Sequence, residues 1–346
     1  MRRSHRIVGS AVTVLFVAVA IASLGSGDRS RRADGRLRSG TLTTPGWHGD
    51  LQLEHDGGPR WFRIYVPREL RSPAPVVVLL HGGTQSMRKI FRPNSGGTQG
   101  WTEVADDEGF LLVVPNGVNA ATGDPSGDDQ NWNDCRGDAT AAETGADDVG
   151  FIAALLDWVA ARYDVDPDRV YATGSSNGGQ MSFRLAMELG HRFAAIAPFI
   201  ANWAAVPECN EPWGPVPVQM VNGTADSYQP WEGGGIPGDR GSVVSVADTL
   251  ALWLDVNDAD PMPVEEGPLP DRDPFDGTTL HLQRFEGAAE VVLVTVEGGG
   301  HTMPSIAHPV PAWIRALLGL GPQSRDVEGS RLAWEFLSRH RRPDRH

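Results

Sequence analysis

The chain has 346 residues, of which 40% are hydrophobic and 21% charged, a composition typical of globular rather than disordered, collagen-like or disulfide-rich proteins. Its 44 acidic residues outnumber its 30 basic ones, and the formal net charge is −14. This balance argues against a nucleic-acid partner, because phosphates are neutralised by lysine and arginine on a basic surface.

The first 39 residues differ in charge from the rest of the chain. They hold eight arginines and two aspartates, a net charge of +6, so the remaining residues carry −20. These arginines flank an apolar run over residues 7–24. The pattern predicts a secretory signal peptide over residues 1–27 and an Arg-rich flexible leader over residues 28–45, hence an extracellular protein. The alternative is an uncleaved membrane anchor, because the run approaches the ~20 residues that span a bilayer.

Short strand-like runs alternate with helical patterns along the rest of the chain. Strands are predicted over residues 61–66, 76–80, 111–114, 170–172, 193–199, 216–221 and 291–296. Helices are predicted over residues 147–163, 181–189 and 332–337, and the Pro- and Asp-rich residues 256–278 as a surface excursion. This alternation predicts one α/β domain over residues 46–340, with a mostly parallel central sheet and helices on both faces.

A serine lies in the glycine-rich turn between the predicted strand 170–172 and the helix that follows it. Gly174, Ser176 and Gly178 fit the pattern G-x-S-x-G. In such a turn the serine is held in a strained conformation at the carboxyl edge of the sheet, and small neighbours let the backbone pass closely. The helix N-terminus beside it favours developing negative charge. Ser176 is therefore the predicted nucleophile.

A nucleophilic serine needs a base, and the base needs an acid that orients it. Asp226 follows the predicted strand 216–221, and His301 follows the strand 291–296 after three glycines. Both lie where open α/β sheets build their sites, so we predict Asp226 as the acid and His301 as the base. Alternatives for the acid are Glu232 and Asp239, and alternatives for the base are His281 and His308.

The stretch His81-Gly82-Gly83-Thr84 comes directly after the buried strand 76–80. Backbone N–H groups at this position would stabilise the oxyanion of a tetrahedral intermediate. We predict an oxyanion hole formed by Gly83 or Thr84 together with Asn177, the residue after the serine. A tight turn is the alternative for this glycine pair when it is considered alone.

The chain has two cysteines, Cys135 and Cys209. In an oxidising compartment they most simply form one disulfide, which would be worth about 4 kcal/mol in the chain-entropy account. Two buried free thiols are the alternative. No metal site is predicted, because these cysteines lie far apart without a neighbouring histidine, and the acidic residues 124–138 lack the spacing of a calcium loop.

Together these motifs resemble the secreted polyhydroxybutyrate depolymerase-like esterases, which include feruloyl and acetylxylan esterases, of the α/β-hydrolase superfamily. The resemblance covers most of residues 50–340, and its further motifs are Asn131-Trp132, Asp147-Asp148-Val149-Gly150-Phe151, Gly223-Thr224-Ala225-Asp226, Gly299-Gly300-His301-Thr302 and Trp334-Glu335-Phe336. It implies an α/β-hydrolase fold and hydrolysis of a carboxylic ester through an acyl-serine. It also implies no metal or organic cofactor, and a small-molecule or oligomeric ester as the partner.

Departures from the family pattern fall around the predicted pocket. Gly83 stands where many relatives have cysteine, and Met303-Pro304-Ser305 replaces the more usual Trp-Pro-Gly. Trp132, Trp231 and Met303 are predicted to contact the substrate. Polyhydroxyalkanoate oligomers and feruloyl or acetyl esters are the expected substrates. The alternatives are an acyltransferase that uses the same triad and a non-catalytic envelope binding protein.

Overall fold

A computed structural model describes residues 42–342. The predicted signal peptide and residues 28–41 of the predicted leader lie outside these described residues. Twelve strands and six helices make up the described part of the chain. The strands are β1 (Gly46–His55), β2 (Gly58–Val66), β3 (Ala74–Leu80), β4 (Leu111–Pro115), β5 (Val165–Ser175), β6 (Ala195–Phe199), β7 (Val218–Gly223), β8 (Gly234–Gly235), β9 (Ser242–Val243), β10 (Glu265–Pro268), β11 (Thr279–Phe285) and β12 (Val291–Glu297). The helices are α1 (Gly100–Glu108), α2 (Asp148–Ala160), α3 (Asn177–Leu189), α4 (Val246–Val256), α5 (Ala312–Leu318) and α6 (Gly329–Leu337).

Ten of the strands form one sheet in the order β1-β2-β4-β3-β5-β6-β7-β12-β11-β10. The six central strands, from β4 to β12, are parallel, and antiparallel strands extend both edges. Their parallel pairing puts the carboxyl ends of β5, β7 and β12 along the same edge of the sheet. Ser176, Asp226 and His301 follow these three ends within a few residues.

The central strands bury side chains on both faces of the sheet. Val76, Val78 and Leu80 of β3 belong to one hydrophobic cluster, with side chains of α2, α3 and α4. Val77 and Leu79 alternate with them and belong to a second cluster, with side chains of α1 and α6. Strands covered on both faces are continuously apolar, which explains why β3 has no polar residue. The predicted α/β fold with helices on both faces is confirmed.

The predicted elements differ from the observed ones mainly in the edges and in β5. The strand predicted over residues 170–172 is the end of β5, which starts at Val165 because Asp166, Pro167 and Asp168 join it. These residue types are depleted in strands, so the pattern concealed that half of β5. The predicted surface excursion is largely exposed and contains the edge strand β10. β1, α1, α4 and α5 had no sequence prediction.

Two adjacent aspartates begin α2 and have different roles. Asp147 is the N-cap and accepts a hydrogen bond from the Gly150 N–H at 2.8 Å. Asp148 is buried, is paired with Arg60 of β2 at 2.5 Å, and accepts the Asn133 N–H at 2.8 Å. This pair ties β2 and α2 to the segment around residue 133, which also contacts the candidate site.

Among residues 42–342, none of the helices combines the length and the apolar character that a membrane crossing requires. The apolar run over residues 7–24 lies outside this range.

Candidate active site

Ser176 lies in the sharp turn between β5 and α3. Its backbone has φ 57° and ψ −124°, a left-handed conformation that costs a non-glycine residue of order 1–3 kcal/mol. The flanking glycines permit this turn, because a Cβ atom at Gly174 or Gly178 would lie 2.6 or 2.3 Å from the Leu80 carbonyl oxygen of β3. The Ser176 N–H donates to the Phe199 carbonyl at 2.9 Å, which fixes the turn against β6. The structure thus places Ser176 at the carboxyl edge of the sheet.

Asp226 and His301 form a hydrogen-bonded pair at the same edge. His301 Nδ1 lies 2.8 Å from Asp226 Oδ2 and 3.0 Å from Oδ1. The Asp226 carboxylate is almost completely buried, and Oδ1 also accepts the backbone N–H groups of Tyr228 and Gln229, both at 2.8 Å. A carboxylate held by two backbone donors keeps one orientation. It therefore holds the imidazole with Nδ1 towards the acid and Nε2 free for chemistry.

Hydrogen bonds connect the loop that carries Asp226 to the loop that carries His301. The Thr224 N–H donates to the Val296 carbonyl at 3.1 Å, and the Ala225 N–H donates to the Gly299 carbonyl at 2.8 Å. In the opposite direction the Gly298 N–H donates to the Thr224 hydroxyl at 2.8 Å. These bonds fix the relative positions of the acid and the base before any ligand binds.

Tyr228 is a site residue that had no assigned role in the sequence. Its ring packs on the His301 ring, with centroids 5.0 Å apart, and its hydroxyl donates to the Leu318 carbonyl at 2.8 Å. Its backbone N–H is one of the two donors to Asp226. In the sequence it is marked by its position two residues after the predicted acid, in the stretch Ser227-Tyr228-Gln229-Pro230-Trp231 that replaces a Pro-Tyr-containing loop of the resembling family at the predicted pocket wall.

The alternative acids and bases lie away from this pair. Glu232 and Asp239 are exposed and make no hydrogen bond with His301. His308 is paired with Glu103 at 2.8 Å, and His281 lies 3.9 Å from Glu266. Of the candidates that we considered, Asp226 and His301 alone are bonded to each other.

A cavity of about 280 Å³ opens beside Ser176 and is lined in addition by Gly83, Asn177 and Tyr228. Tyr228 connects it to His301 through the ring contact. Within residues 42–342 the Ser176 hydroxyl makes no hydrogen bond, so its side chain is free to rotate towards the base or the cavity. Catalytic hydrogen bonds are often loose without a ligand and tighten in the substrate complex.

The predicted oxyanion donors face the same cavity, but they differ in availability. The Thr84 N–H points to the Asn131 side-chain oxygen at 3.3 Å. Within the described residues the N–H groups of Gly83 and Asn177 have no acceptor. An oxyanion hole needs unoccupied donors, so the geometry favours Gly83 and Asn177 over Thr84.

The side chain of Asn177 is clamped by the backbone of Trp132. Its Oδ1 accepts the Trp132 N–H at 2.7 Å, and its Nδ2 donates to the Trp132 carbonyl at 3.0 Å. The Trp132 indole in turn donates to the His81 carbonyl at 2.9 Å. Trp132 therefore joins the residue after Ser176 to the loop that carries Gly83, and it fixes the relative positions of the two predicted oxyanion donors.

His81 is a buried, neutral support for that loop. Its Nδ1 lies 2.9 Å from the Gly82 carbonyl, and its Nε2 accepts the Gly117 N–H at 2.9 Å. Accepting at Nε2 requires the neutral ring. Burial, which disfavours the charged form, lowers the pKa of His81 to about 4, with smaller contributions from Arg60 and Lys89.

We expect this buried histidine to destabilise the fold in acid. The pKa of His81 is about 4 in the folded chain and ~6.5 in an unfolded one. Between these pH values the unfolded state binds a proton that the folded state does not bind, and this favours unfolding. The free energy of unfolding should fall by about 3 kcal/mol between pH 6.5 and pH 4 from this residue alone. Urea denaturation across this range measures the slope. His81→Gln should flatten this dependence of the unfolding free energy on pH, and the control His281→Gln, at a half-buried histidine outside the core, should not. Equal slopes in all three proteins would refute the assignment.

The three side chains predicted to contact substrate do not line this cavity. Trp132 and Met303 are buried in the two hydrophobic clusters, and Trp231 packs against the first of them. The cavity wall is instead mixed in polarity. Among the described residues that line it, Tyr228 is the one aromatic side chain, the apolar ones are Ala120, Ala121, Ala139, Ala141 and Ile236, and the polar ones include Asn119, Asp129, Asn131, Thr140, Gln180 and Arg240. The sequence prediction is corrected at this point, because loop tryptophans pack into the core more readily than they face water.

The predicted disulfide between Cys135 and Cys209 is present. It lies next to the cavity, because Cys135 separates Asp134, which accepts from the Asn177 amide, from Arg136, which lines the cavity. Among the described residues one cluster of potential metal ligands occurs, Cys135, Cys209 and Glu188, and the two sulfurs in it are joined to each other.

Comparison with known proteins gives consistent similarities. The family model named Esterase, described as "Putative esterase", matches residues 56–260. The "Putative esterase NocK" of Nocardia uniformis subsp. tsuyamanensis is 31% identical over 279 residues, which are 76% of this chain and 74% of that protein. The feruloyl esterase B of Piromyces equi is 25% identical and covers 61% of this chain.

Other relatives are longer proteins. A bifunctional acetylxylan esterase/xylanase of Neocallimastix patriciarum is 29% identical over 53% of this chain, but the match spans only 24% of that protein. For the Piromyces equi enzyme the corresponding share is 38%. Among solved structures, the acetyl xylan esterase from Aspergillus awamori has a TM-score of 0.49 at 15% identity, over 76% of this chain and 94% of that one.

Proposed function

Because the chain belongs to the Esterase family, we propose that it is a carboxylic ester hydrolase in which Ser176, His301 and Asp226 form the catalytic triad. The observation that carries the proposal is the buried Asp226–His301 pair at 2.8 Å, at the sheet edge where Ser176 occupies a strained turn. A nucleophile, an orienting acid and a base in this chain order and at these strand ends are the arrangement of α/β-hydrolase serine esterases.

The geometry supports a two-step reaction. Ser176 Oγ attacks the ester carbonyl carbon while His301 Nε2 takes the hydroxyl proton. The oxyanion of the tetrahedral intermediate accepts the Gly83 and Asn177 N–H groups, and Asp226 stabilises the imidazolium. The C–O bond to the alcohol breaks as His301 returns the proton to it. Water then attacks the acyl-serine by the same route and releases the acid and free Ser176.

The size and lining of the cavity limit which esters can bind beside Ser176. Its volume of about 280 Å³ is at the lower end of ligand cavities, which start at ~300 Å³, and Tyr228 is the one aromatic residue among the described residues that line it. Among the substrates expected from the sequence, we propose acetyl-type and short hydroxyalkanoate esters rather than feruloyl esters, which would need a flat apolar wall. Export through the basic and apolar leader is part of the proposal, and the disulfide suits an oxidising compartment.

Hydrolysis in ¹⁸O-labelled water tests the reaction directly. We expect one label in the released acid, and we expect a fluorophosphonate probe to modify the peptide that contains Ser176. If an added alcohol captures most of the acyl group at low concentration, the chain is an acyltransferase. If no ester is consumed and the probe does not react, it is a non-catalytic binding protein.

A further inference from the structure

The cavity beside Ser176 is lined by one guanidinium, that of Arg240, to which no other described residue is bonded. Arg240 lines the cavity and is half-buried, and its guanidinium makes no hydrogen bond or ion pair within residues 42–342. An unpaired guanidinium in a substrate cavity offers a planar, permanently charged fork that matches a carboxylate.

The backbone around Arg240 is fixed by hydrogen bonds, whereas the Arg240 side chain is not. Its carbonyl accepts from the buried Arg136 guanidinium, and the neighbouring Asp239 carbonyl accepts the Thr140 hydroxyl at 3.0 Å. The Ile236 N–H donates to the Gly241 carbonyl at 2.8 Å, which closes the turn. A side chain presented from a fixed backbone loses little entropy when it binds, as a recognition site requires.

The other guanidinium of the cavity is already neutralised. Arg136 donates to both oxygens of Asp134, at 2.9 and 2.7 Å, and both side chains are buried. Asp129 adds a negative charge, but it lies on the exposed part of the wall. Among the described residues that line the cavity, Arg240 is therefore the one cation whose charge is available to a ligand.

Gln180 is a second polar residue in the cavity wall. Gln180 lies one helical turn after Ser176, and it is only 2% exposed. Its amide nitrogen Nε2 is used, since it donates to the Asn202 carbonyl at 3.3 Å and to Gln229 Oε1 at 3.4 Å, but its Oε1 is buried and has no hydrogen-bond partner within residues 42–342. A buried acceptor without a partner costs of order 1–3 kcal/mol, and this oxygen becomes available to a ligand only if the Gln180 side chain rotates towards the cavity.

We infer that the substrate of this site is a small ester that carries a carboxylate, and that Arg240 binds this carboxylate while Ser176 attacks the ester carbonyl. The inference rests on the proposed function and names the substrate class of the same site. The volume of about 280 Å³ favours a small ester over one with a long acyl chain, and the free guanidinium selects the charge. No group is transferred at Arg240, so its role is to determine specificity.

Matched esters separate the carboxylate from every other property of the substrate. The first pair is monoethyl succinate, with a carboxylate on the acyl side of the ester, and its neutral amide ethyl succinamate. The second pair is 3-acetoxypropanoate, with a carboxylate on the alcohol side, and its neutral amide 3-acetoxypropanamide. We expect the wild-type protein to show a higher kcat/KM for the carboxylate in at least one pair, by about ten- to hundredfold, as for other hydrogen bonds to a charged group.

Arg240→Met should reduce that preference by the same factor, whereas Arg68→Met, at an exposed arginine outside the cavity, should leave the preference unchanged. Activity of Arg240→Met on the amide of the pair shows that the variant is folded. An equal kcat/KM for acid and amide in both pairs, or a preference that survives in Arg240→Met, would overturn the inference while leaving ester hydrolysis intact. Failure of the proposed function would look different, since neither member of any pair would be cleaved.

Discussion

Ser176→Ala is expected to lower kcat by about 10⁶-fold, to the level that binding and oxyanion donors alone provide, because the acyl-serine can no longer form. The structure predicts little change in stability, since Ser176 Oγ makes no hydrogen bond in the described part of the chain. The strained φ of 57° remains with either side chain. The loss should therefore be chemical and not conformational.

Steady-state kinetics on a short acetyl ester, with thermal denaturation of the same samples, separates these possibilities. Ser175→Ala is the matched control, because Ser175 is the adjacent serine at the end of β5 and has no part in the proposed mechanism. The fluorophosphonate probe should label Ser175→Ala and not Ser176→Ala. Appreciable turnover by a folded Ser176→Ala protein would show that another nucleophile is used and that the triad is wrongly assigned.

The sequence predicts those site residues whose location follows from the end of a strand. It does not predict those whose role depends on side chains from distant segments. Ser176, Asp226 and His301 could be predicted as the triad because each follows a buried strand, and the structure confirms only that the parallel order of these strands brings their ends to one edge. The same logic placed Gly83 and Asn177. It could not separate Gly83 from Thr84, because that distinction depends on Asn131, whose side chain arrives from a segment 47 residues away.

The substrate wall was predicted less well, for a physical reason. Aromatic residues in loops were expected to face the cavity, but Trp132 gains more by burial and by its bond to the His81 carbonyl. Arg240 and Gln180 had no sequence pattern around them. Arg240 matters because its guanidinium has no partner among residues 42–342, and Gln180 is bonded only through Nε2; both facts depend on the positions of distant side chains, which a sequence pattern does not give.

Asp226→Asn is expected to lower kcat by about 10⁴-fold while the protein stays folded, because the substitution changes the tautomer of His301. Asp226 Oδ1 accepts two backbone N–H groups, from Tyr228 and Gln229. In the asparagine variant the amide oxygen must take that position, since an NH₂ group there would face two donors. The NH₂ group then replaces Oδ2, the atom 2.8 Å from His301 Nδ1.

An NH₂ group facing Nδ1 forces that nitrogen to accept, so the ring proton moves to Nε2 and His301 can no longer take the proton of Ser176. ¹⁵N NMR of the imidazole reports this exchange independently of the rate. Asp326→Asn is the matched control, because Asp326 is also buried and its Oδ1 also accepts two backbone N–H groups, from Arg272 and Asp273, but it lies outside the site. It should keep kcat near the parent value. A variant of Asp226 that keeps its rate with Nε2 protonated would mean that His301 is not the base, and that the hydrogen-bonded pair serves only to join the two loops.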